Sequence, residues 1–426
     1  MDKKMLQEMA ETFGTPLYAY DGEKIESQYR LLKSQLPESF EVFYSLKSNP
    51  LLGVCQLFKE FGSRIEVASL GELHVALEAG FEPEHIIFTS PGKTYEELQH
   101  AIRANIYSIN IESLEEAIII NEIASQDKKS VRIAIRINPN FNLSGAGMKM
   151  TGVPTQFGID QSLVGEAIER IQSLPFVNLS GIHIFTGTQM LDASSIVKNI
   201  EEIIKLSISL SDTYAFPLDF LDLGGGFGVP YFNGEQPLNT DLVKEGLTEV
   251  WETYRDRLAN TRMGVESGRF LMAEAGAFLT KVLYVKESKG TQFVVCDGGS
   301  NQHASTAFLG RYVRNNFPMY LLGKEHDELE EVNVVGSLCT PTDVLGQKVN
   351  LAKALPGDIL VIDKSGAYGL THSPVLFLSH SLPAEVMHRN QQFHVLRERG
   401  KPQDFLRGQH AIGGLIGEKE REISVL

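Results

Sequence analysis

Three cysteines in 426 residues are too few for a disulfide framework, and Cys55, Cys296 and Cys339 share no metal-ligand spacing. That scarcity suits a reducing compartment. Positive charge is also short: 39 Lys and Arg stand against 54 Asp and Glu, a net charge of -15 at pH 7. No basic patch appears, which argues against nucleic-acid and anionic-membrane partners. No apolar run approaches the length of a membrane span. The polar start, MDKKMLQEMAETFG, lacks an apolar signal core. The expectation is a cytoplasmic protein. The remainder is ordinary globular composition, 42% hydrophobic and 22% charged, enough for about two to three domains.

From about residue 40 one pattern repeats: a short apolar strand ends in polar or glycine residues, and a helical stretch follows. The strands are FEVFYSLK (40–47), RIEVAS (64–69), HIIFTS (85–90), IYSINI (106–111), VRIAIRI (131–137), LSGIHIF (179–185), LDFLDLG (218–224) and RMGVES (262–267). Several are nearly continuous in apolar residues, as strands buried on both faces are. Intervening helices include GELHVALEAG (71–80), TYEELQHAIRAN (94–105) and SLEEAIIINEIAS (113–125), where Ser113 with Glu116 fits a capping box. Eight alternations predict a parallel (β/α)8 barrel, an α/β fold, with a doubly wound open sheet as the alternative. The Gly-, Asn- and Pro-rich segment 138–158 reads as a loop over the barrel mouth. After about residue 277 the helices stop, and FLTKVLYVKES, TQFVVCDGG, EVNVVGSL, DILVIDKSG and EVMHRN read as strands of a second, mostly β domain. TPLYAYD (15–21) is strand-like and is expected to join it. The expected division is a barrel over 25–277, with 1–24 and 278–426 forming the β-rich part.

Barrel enzymes carry their reacting groups at the C-terminal ends of the strands. Strand one ends at Lys47. Taken alone, this lysine reads first as a surface lysine reaching solvent; the other reading is a buried amine with a lowered pKa, suited to Schiff-base chemistry. Strand seven ends Asp222-Leu223-Gly224-Gly225-Gly226, where glycines let backbone N–H groups approach an anion. The run also reads as a tight turn, and no GK[ST] follows to make it a Walker loop. Strand eight ends Glu266-Ser267-Gly268-Arg269, a carboxylate and a guanidinium that pair with each other or divide the work between a cationic ring and an anion.

Tyr44-Ser45-Leu46-Lys47-Ser48-Asn49, Gly224–Gly226, Glu266-Ser267-Gly268-Arg269, Gly336-Ser337-Leu338-Cys339-Thr340 and Gly366-Ala367-Tyr368-Gly369 occur in an order and spacing that resembles the fold-type III decarboxylases, which depend on pyridoxal 5'-phosphate. The likeness spans about residues 15 to 400. It implies that Lys47 carries the cofactor covalently, that Gly224, Gly225, Gly226, Arg269, Tyr368 and Thr188 hold its phosphate, that Gly268 belongs to the cofactor site, and that Glu266 pairs with the pyridine nitrogen. Glu66 and Arg136 match polar positions lining the pocket. Phe185 stands where the family usually has a ring-stacking histidine, with His183 nearby; His183 reads equally as a satisfied histidine inside the barrel. Cys339 reads alone as a small core residue. In the family it reaches the neighbouring subunit's cofactor, which implies a homodimer with shared active sites.

Two further departures concern the substrate. Thr340 follows the cysteine where family members place an acid or continue C-E-S, and Ser305 falls where a substrate-carboxylate arginine is usual. The form Cys339-Thr340-Pro341-Thr342-Asp343, with KMTGVPTQFGID (149–160), GGGFGVPYF (224–232) and GRYVRNNFPM (310–319), is most similar to biosynthetic members. One acts on glutamate attached to an acyl carrier protein in butirosin synthesis. Another, sharing the C-T-P-x-D form, acts on a citrate-conjugated diamino acid. Arg269, Thr340 and Asp343 are expected on the substrate side. Arg311 and Arg314 are candidates for its acidic portion or an acidic carrier, and read equally as solvated arginines. The expectation is α-decarboxylation of a conjugated or carrier-bound L-amino acid. The alternatives are a diaminopimelate decarboxylase and a non-catalytic cofactor-binding homologue.

Overall fold

Eight short strands close on themselves because each is apolar on both faces and ends where polar groups reach the mouth. In chain order they are β1 (Phe40–Ser45), β2 (Arg64–Val67), β3 (Ile86–Thr89), β4 (Ser108–Ile111), β5 (Val131–Asn138), β6 (Val177–His183), β7 (Phe220–Asp222) and β8 (Arg262–Ser267). Each pairs in parallel with the next, and β8 pairs with β1 through Val265↔Val42 and Ser267↔Tyr44. The closed ring excludes the open-sheet alternative. This computed structural model describes all residues except 142–147, 150–153, 233, 308–314, 325 and 413–426, and only the backbone of 148–149. About half of the expected mouth loop at 138–158, and both Arg311 and Arg314, therefore lie outside the described residues.

Helices cover the outside of the ring, and the large core lies between them and the strands. Inside the barrel, Phe43, Ile87, Ala134 and Phe220 form a separate buried cluster with Tyr107 against it. Tyr107 and Phe220 meet edge to face at 5.2 Å. These side chains plug the lower barrel, so chemistry is confined above them. The capping box expected at Ser113 is only half formed. Ser113 accepts from Glu116 N–H, but the Glu116 carboxylate accepts from Glu112 N–H instead of returning to Ser113. A complete box stands at Thr94 and Glu97, before the helix Tyr95–Ala104.

The second sheet is built around the long strand Gly276–Ser288, which pairs antiparallel with Leu17–Asp21, Thr291–Cys296 and Ile359–Ile362. Leu17–Asp21 also pairs in parallel with Ala384–Arg389. The N-terminal helix Lys3–Phe13 buries Met5, Leu6 and Met9 against this sheet, beside Leu279, Val361 and Val386. The N-terminal strand thus lies in the β-rich sheet while the barrel follows it in sequence. The two parts meet at the mouth: Tyr368 N–H donates to Ser48 O at 2.8 Å, and Asn49 Nδ2 donates to Gly366 O at 3.1 Å.

Candidate active site

At the C-terminal end of the barrel a cavity of about 460 Å³ opens, with Lys47, Glu66, Arg136, His183, Phe185, Thr188, Glu266, Arg269 and Tyr368 on its wall. Lys47 is not the end of β1. The strand stops at Ser45, and a single 3-10 turn, Leu46–Ser48, carries the lysine over the mouth. Its side chain keeps 40% of its surface open into the cavity, while protein encloses the ammonium on its other sides. Nζ donates to Glu66 Oε1 and Oε2 at 2.9 and 3.0 Å. Burial disfavours the charge, but Glu66 and then Glu266 outweigh it and hold the amine above the ordinary lysine range. The lowered pKa that a buried lysine suggests is therefore reversed by its carboxylate neighbours.

An acidic, buried cluster underlies the cavity. Glu266 on β8, His183 on β6 and Asp222 on β7 are each buried to 2% exposure or less. His183 Nε2 lies 3.5 Å from Glu266 Oε1, and among the described residues neither atom has a hydrogen-bond partner. Burial first, then Asp222 and Glu66, push the Glu266 carboxyl well above the usual range. Burial, reinforced by Arg136 and Lys47, holds His183 neutral. A carboxyl oxygen that is buried, without a partner among the described residues and at the wall of a cavity calls for a polar partner inside that cavity.

A second orphan marks the other end. Arg269 is largely buried; among the described residues its Nε has no partner, and its guanidinium donates to the Tyr231 hydroxyl at 3.3 Å. The guanidinium stacks on the Tyr368 ring at 4.6 Å. No carboxylate among the described residues neutralises it, so of the two readings of Glu266 and Arg269 their mutual pairing does not occur, and an anion is called for. The nearby glycine run is required by close approach. A Cβ on Gly225 would stand 2.0 Å from Glu266 O, and one on Gly224 2.6 Å from Ile184 O. The N–H groups of Gly225 and Gly226 are used by no neighbour among the described residues. Gly268 likewise packs on Ser48, where a Cβ would come within 2.6 Å of Oγ.

Phe185 presents its ring 5.8 Å from Lys47 Nζ. Arg136 is neutralised by Glu112 at 2.7 Å and lies over the Phe157 ring at 4.8 Å. The residues that went unremarked in sequence, Ala68, Thr89, Ser90, Pro91, Ala304 and His372, complete the wall. Thr89 ends β3, Ala304 and His372 lie in short 3-10 turns and the others in loops; none carries a distinguishing motif, and only the position of Thr89 and Ser90 at the end of a barrel strand would have pointed to them. Cys339 is exposed and, with Thr340, lies off this cavity wall. The core reading of Cys339 is thereby overturned. Asp343 requires a correction too. It is buried, and its oxygens accept from Ser300 N–H at 2.7 Å and Leu338 N–H at 2.8 Å, so it anchors the cysteine loop and has no free oxygen for a substrate.

Residues 22–273 match the family model of the pyridoxal-dependent decarboxylases, pyridoxal-binding domain. The L-glutamyl-[BtrI acyl-carrier protein] decarboxylase of Niallia circulans is 40% identical over 95% of this chain and 96% of its own. The 2-[(L-alanin-3-ylcarbamoyl)methyl]-2-hydroxybutanedioate decarboxylase of Staphylococcus aureus is 31% identical over 86% and 92%. A crystal structure of diaminopimelate decarboxylase from M. jannaschii with L-lysine superposes with a TM-score of 0.89 at 29% identity, covering 96% of this chain and 95% of that one.

Proposed function

Because the chain belongs to the pyridoxal-dependent decarboxylases, we propose that it removes the α-carboxyl group of an L-amino acid whose distal end is joined to a large group, with glutamate on an acyl carrier protein as the leading case. The donor set fits pyridoxal phosphate. Lys47 supplies the amine, Glu266 Oε1 the partner for the ring nitrogen, and Arg269 with Tyr368, Thr188 and the Gly225 and Gly226 amides the cradle for the phosphate. Phe185 and His183 bound the ring. When bound, the cofactor supplies an electron sink for the pair left on Cα as CO2 departs.

The protein's own part is to hold, orient and protonate. Glu66 is the base at hand to relieve Lys47 of its proton. Arg269 fixes the phosphate end, and the plugged barrel below excludes water. Cys339 is exposed and off the wall of its own chain's cavity, which supports a homodimer in which it reaches the partner's site and returns a proton to Cα. In this reading 25–277 bind the cofactor, and 1–24 with 278–426 carry Cys339 across. The setting is the cytoplasm; among the described residues no helix is long and apolar enough to cross a membrane.

The observation that carries the substrate class is the outer wall. Beyond the Lys47–Glu66–Glu266 floor, and with Arg269 taken by the phosphate, its described residues offer no unpaired lysine, arginine or carboxylate for a second amino-acid centre: Arg136 is matched by Glu112, and Ala304, Ser305, Thr89 and Ser90 are uncharged. A charged distal group left without partners costs about 3 kcal/mol, roughly a hundredfold in kcat/KM. CO2 release from glutamyl-carrier protein, free glutamate, diaminopimelate, lysine and ornithine, with Lys47→Ala as the blank, tests this. The carrier-bound substrate is expected to lead by at least that factor. Free diaminopimelate turned over as well as any other substrate overturns the reading in favour of a lysine-forming enzyme.

A further inference from the structure

Asp222 ends β7 beneath the cavity, off its wall. Its side chain is fully buried, and each oxygen has a fixed donor: Gly224 N–H at 3.0 Å on Oδ1 and Asn110 Nδ2 at 3.1 Å on Oδ2. Asn110 is itself anchored by donating to Thr89 Oγ1 at 2.9 Å. Glu266, on the adjacent strand, has an orphaned Oε1 instead. His183, Asp222 and Glu266 place ligand atoms within 4.8 Å of one another.

Two carboxyls this close and this dry do not both ionise. The donors decide which keeps the charge, because a hydrogen bond to a carboxylate favours the charged form. Asp222 has two such donors. His183, 4.0 Å from Asp222 Oδ2, does not compensate, being neutral. Of the other charged groups facing the pair, Glu66 on β2 disfavours a second anion. Lys47 and Arg136 favour one, but each is already matched, by Glu66 and Glu112. Burial raises Asp222 only to about 7, held back by Gly224 and by a hydrogen bond from Glu266, whereas Glu266 is raised further.

We infer that Asp222 is a positioning residue that keeps Glu266 a carboxylic acid in the cofactor-free site, so that Glu266 itself brings the ring nitrogen its proton. This rests on the assignment of Glu266 to that nitrogen. In the transfer the Glu266 O–H bond breaks and an N–H bond forms. Glu266 remains as the carboxylate acceptor, Asp222 keeps its charge, and solvent gives up no proton.

The test uses 4'-deoxypyridoxine 5'-phosphate, which lacks the aldehyde and leaves Lys47 unreacted. Binding is measured calorimetrically in two buffers of different ionisation enthalpy, at a pH where the free ring nitrogen is unprotonated. Heat counts the protons drawn from solvent, and absorbance reports whether the bound ring is protonated. Wild type is expected to show a protonated ring with near-zero uptake, and Asp222→Asn a protonated ring with uptake rising toward about one proton per site. Uptake of a full proton by wild type, or no difference in Asp222→Asn, overturns the proposal. Glu266→Gln should lose the protonated-ring spectrum; if it does not, the assignment of Glu266 to the ring falls as well. Should Asp222→Asn fail to fold, infrared spectra of wild type decide: a protonated-carboxyl band absent from Glu266→Gln must vanish on binding, and its absence from the free protein overturns the proposal.

Discussion

A histidine sealed in the protein interior pays no electrostatic cost until the solution turns acid. His303 is fully buried, its Nε2 shares a hydrogen bond with Ser365 Oγ at 2.8 Å, and its Nδ1 has no partner among the described residues. Burial lowers its pKa from 6.5 to about 3. With the folded value depressed, the unfolded chain takes up the proton first as pH falls. The stability His303 contributes is therefore present above about 6.5 and is lost toward 3, at about 1.4 kcal/mol per pH unit. His183 is held neutral too, so only a comparison isolates His303. In urea unfolding between about pH 6.5 and pH 4.5, His303→Gln is expected to lose less stability per unit than wild type, by roughly that slope. Identical slopes would remove His303 from the account. The depressed pKa was not legible in sequence, because it depends on burial by Tyr18, Phe278 and Phe317, which arrive from three distant segments. Lys47 shows the same limit: its position after β1 was legible, its raised pKa was not, because Glu66 lies on another strand.

Elements place these groups through backbone contact more than through side chains. The β7–β8 seam is close enough that Gly225 leaves 2.0 Å for a Cβ against Glu266 O. Gly225→Ala must push β8 or the loop aside, moving Glu266 and the phosphate amides together. The expected result is cofactor binding weaker by roughly tenfold or more, from about 1–3 kcal/mol of overpacking. Gly92→Ala, which meets nothing within 4 Å, should leave affinity unchanged; equal effects from the two in a fluorescence titration would refute the steric argument. The barrel strands were legible because β1 to β8 are apolar runs ending in polar residues. Strand Val344–Ala352 was not: Gln347, Lys348 and Asn350 interrupt its apolar positions, and its pairing with Leu329–Val335 shifts register. Strand ends were misplaced for a physical reason as well. FEVFYSLK reads as continuous, yet the chain must turn at Leu46 to bring Lys47 over the mouth.

At the scale of the whole molecule, the cavity of one chain holds an amine, an acid and an anion cradle, but no thiol. Cys339 sits on the surface, on a loop that buried Asp343 holds in place. Family likeness alone had connected Cys339 to catalysis; nothing in its sequence neighbourhood says which chain's cavity it serves. If the site is shared, Lys47→Ala and Cys339→Ala each leave every homodimeric site with one defect. Mixing them in equal amounts, after subunits have exchanged, makes about half the dimers mixed, and each of these carries one intact site, so up to about a quarter of all sites recover. A site within one chain predicts no recovery, since Lys47 and Cys339 on the same chain would never both be intact. Cys339→Ala by itself should misplace the returning proton and release aldehyde in place of clean amine. A mixture that stays inactive although labelled subunits have demonstrably exchanged would remove Cys339 from the partner's site, leaving it a surface thiol on a loop held for some other purpose.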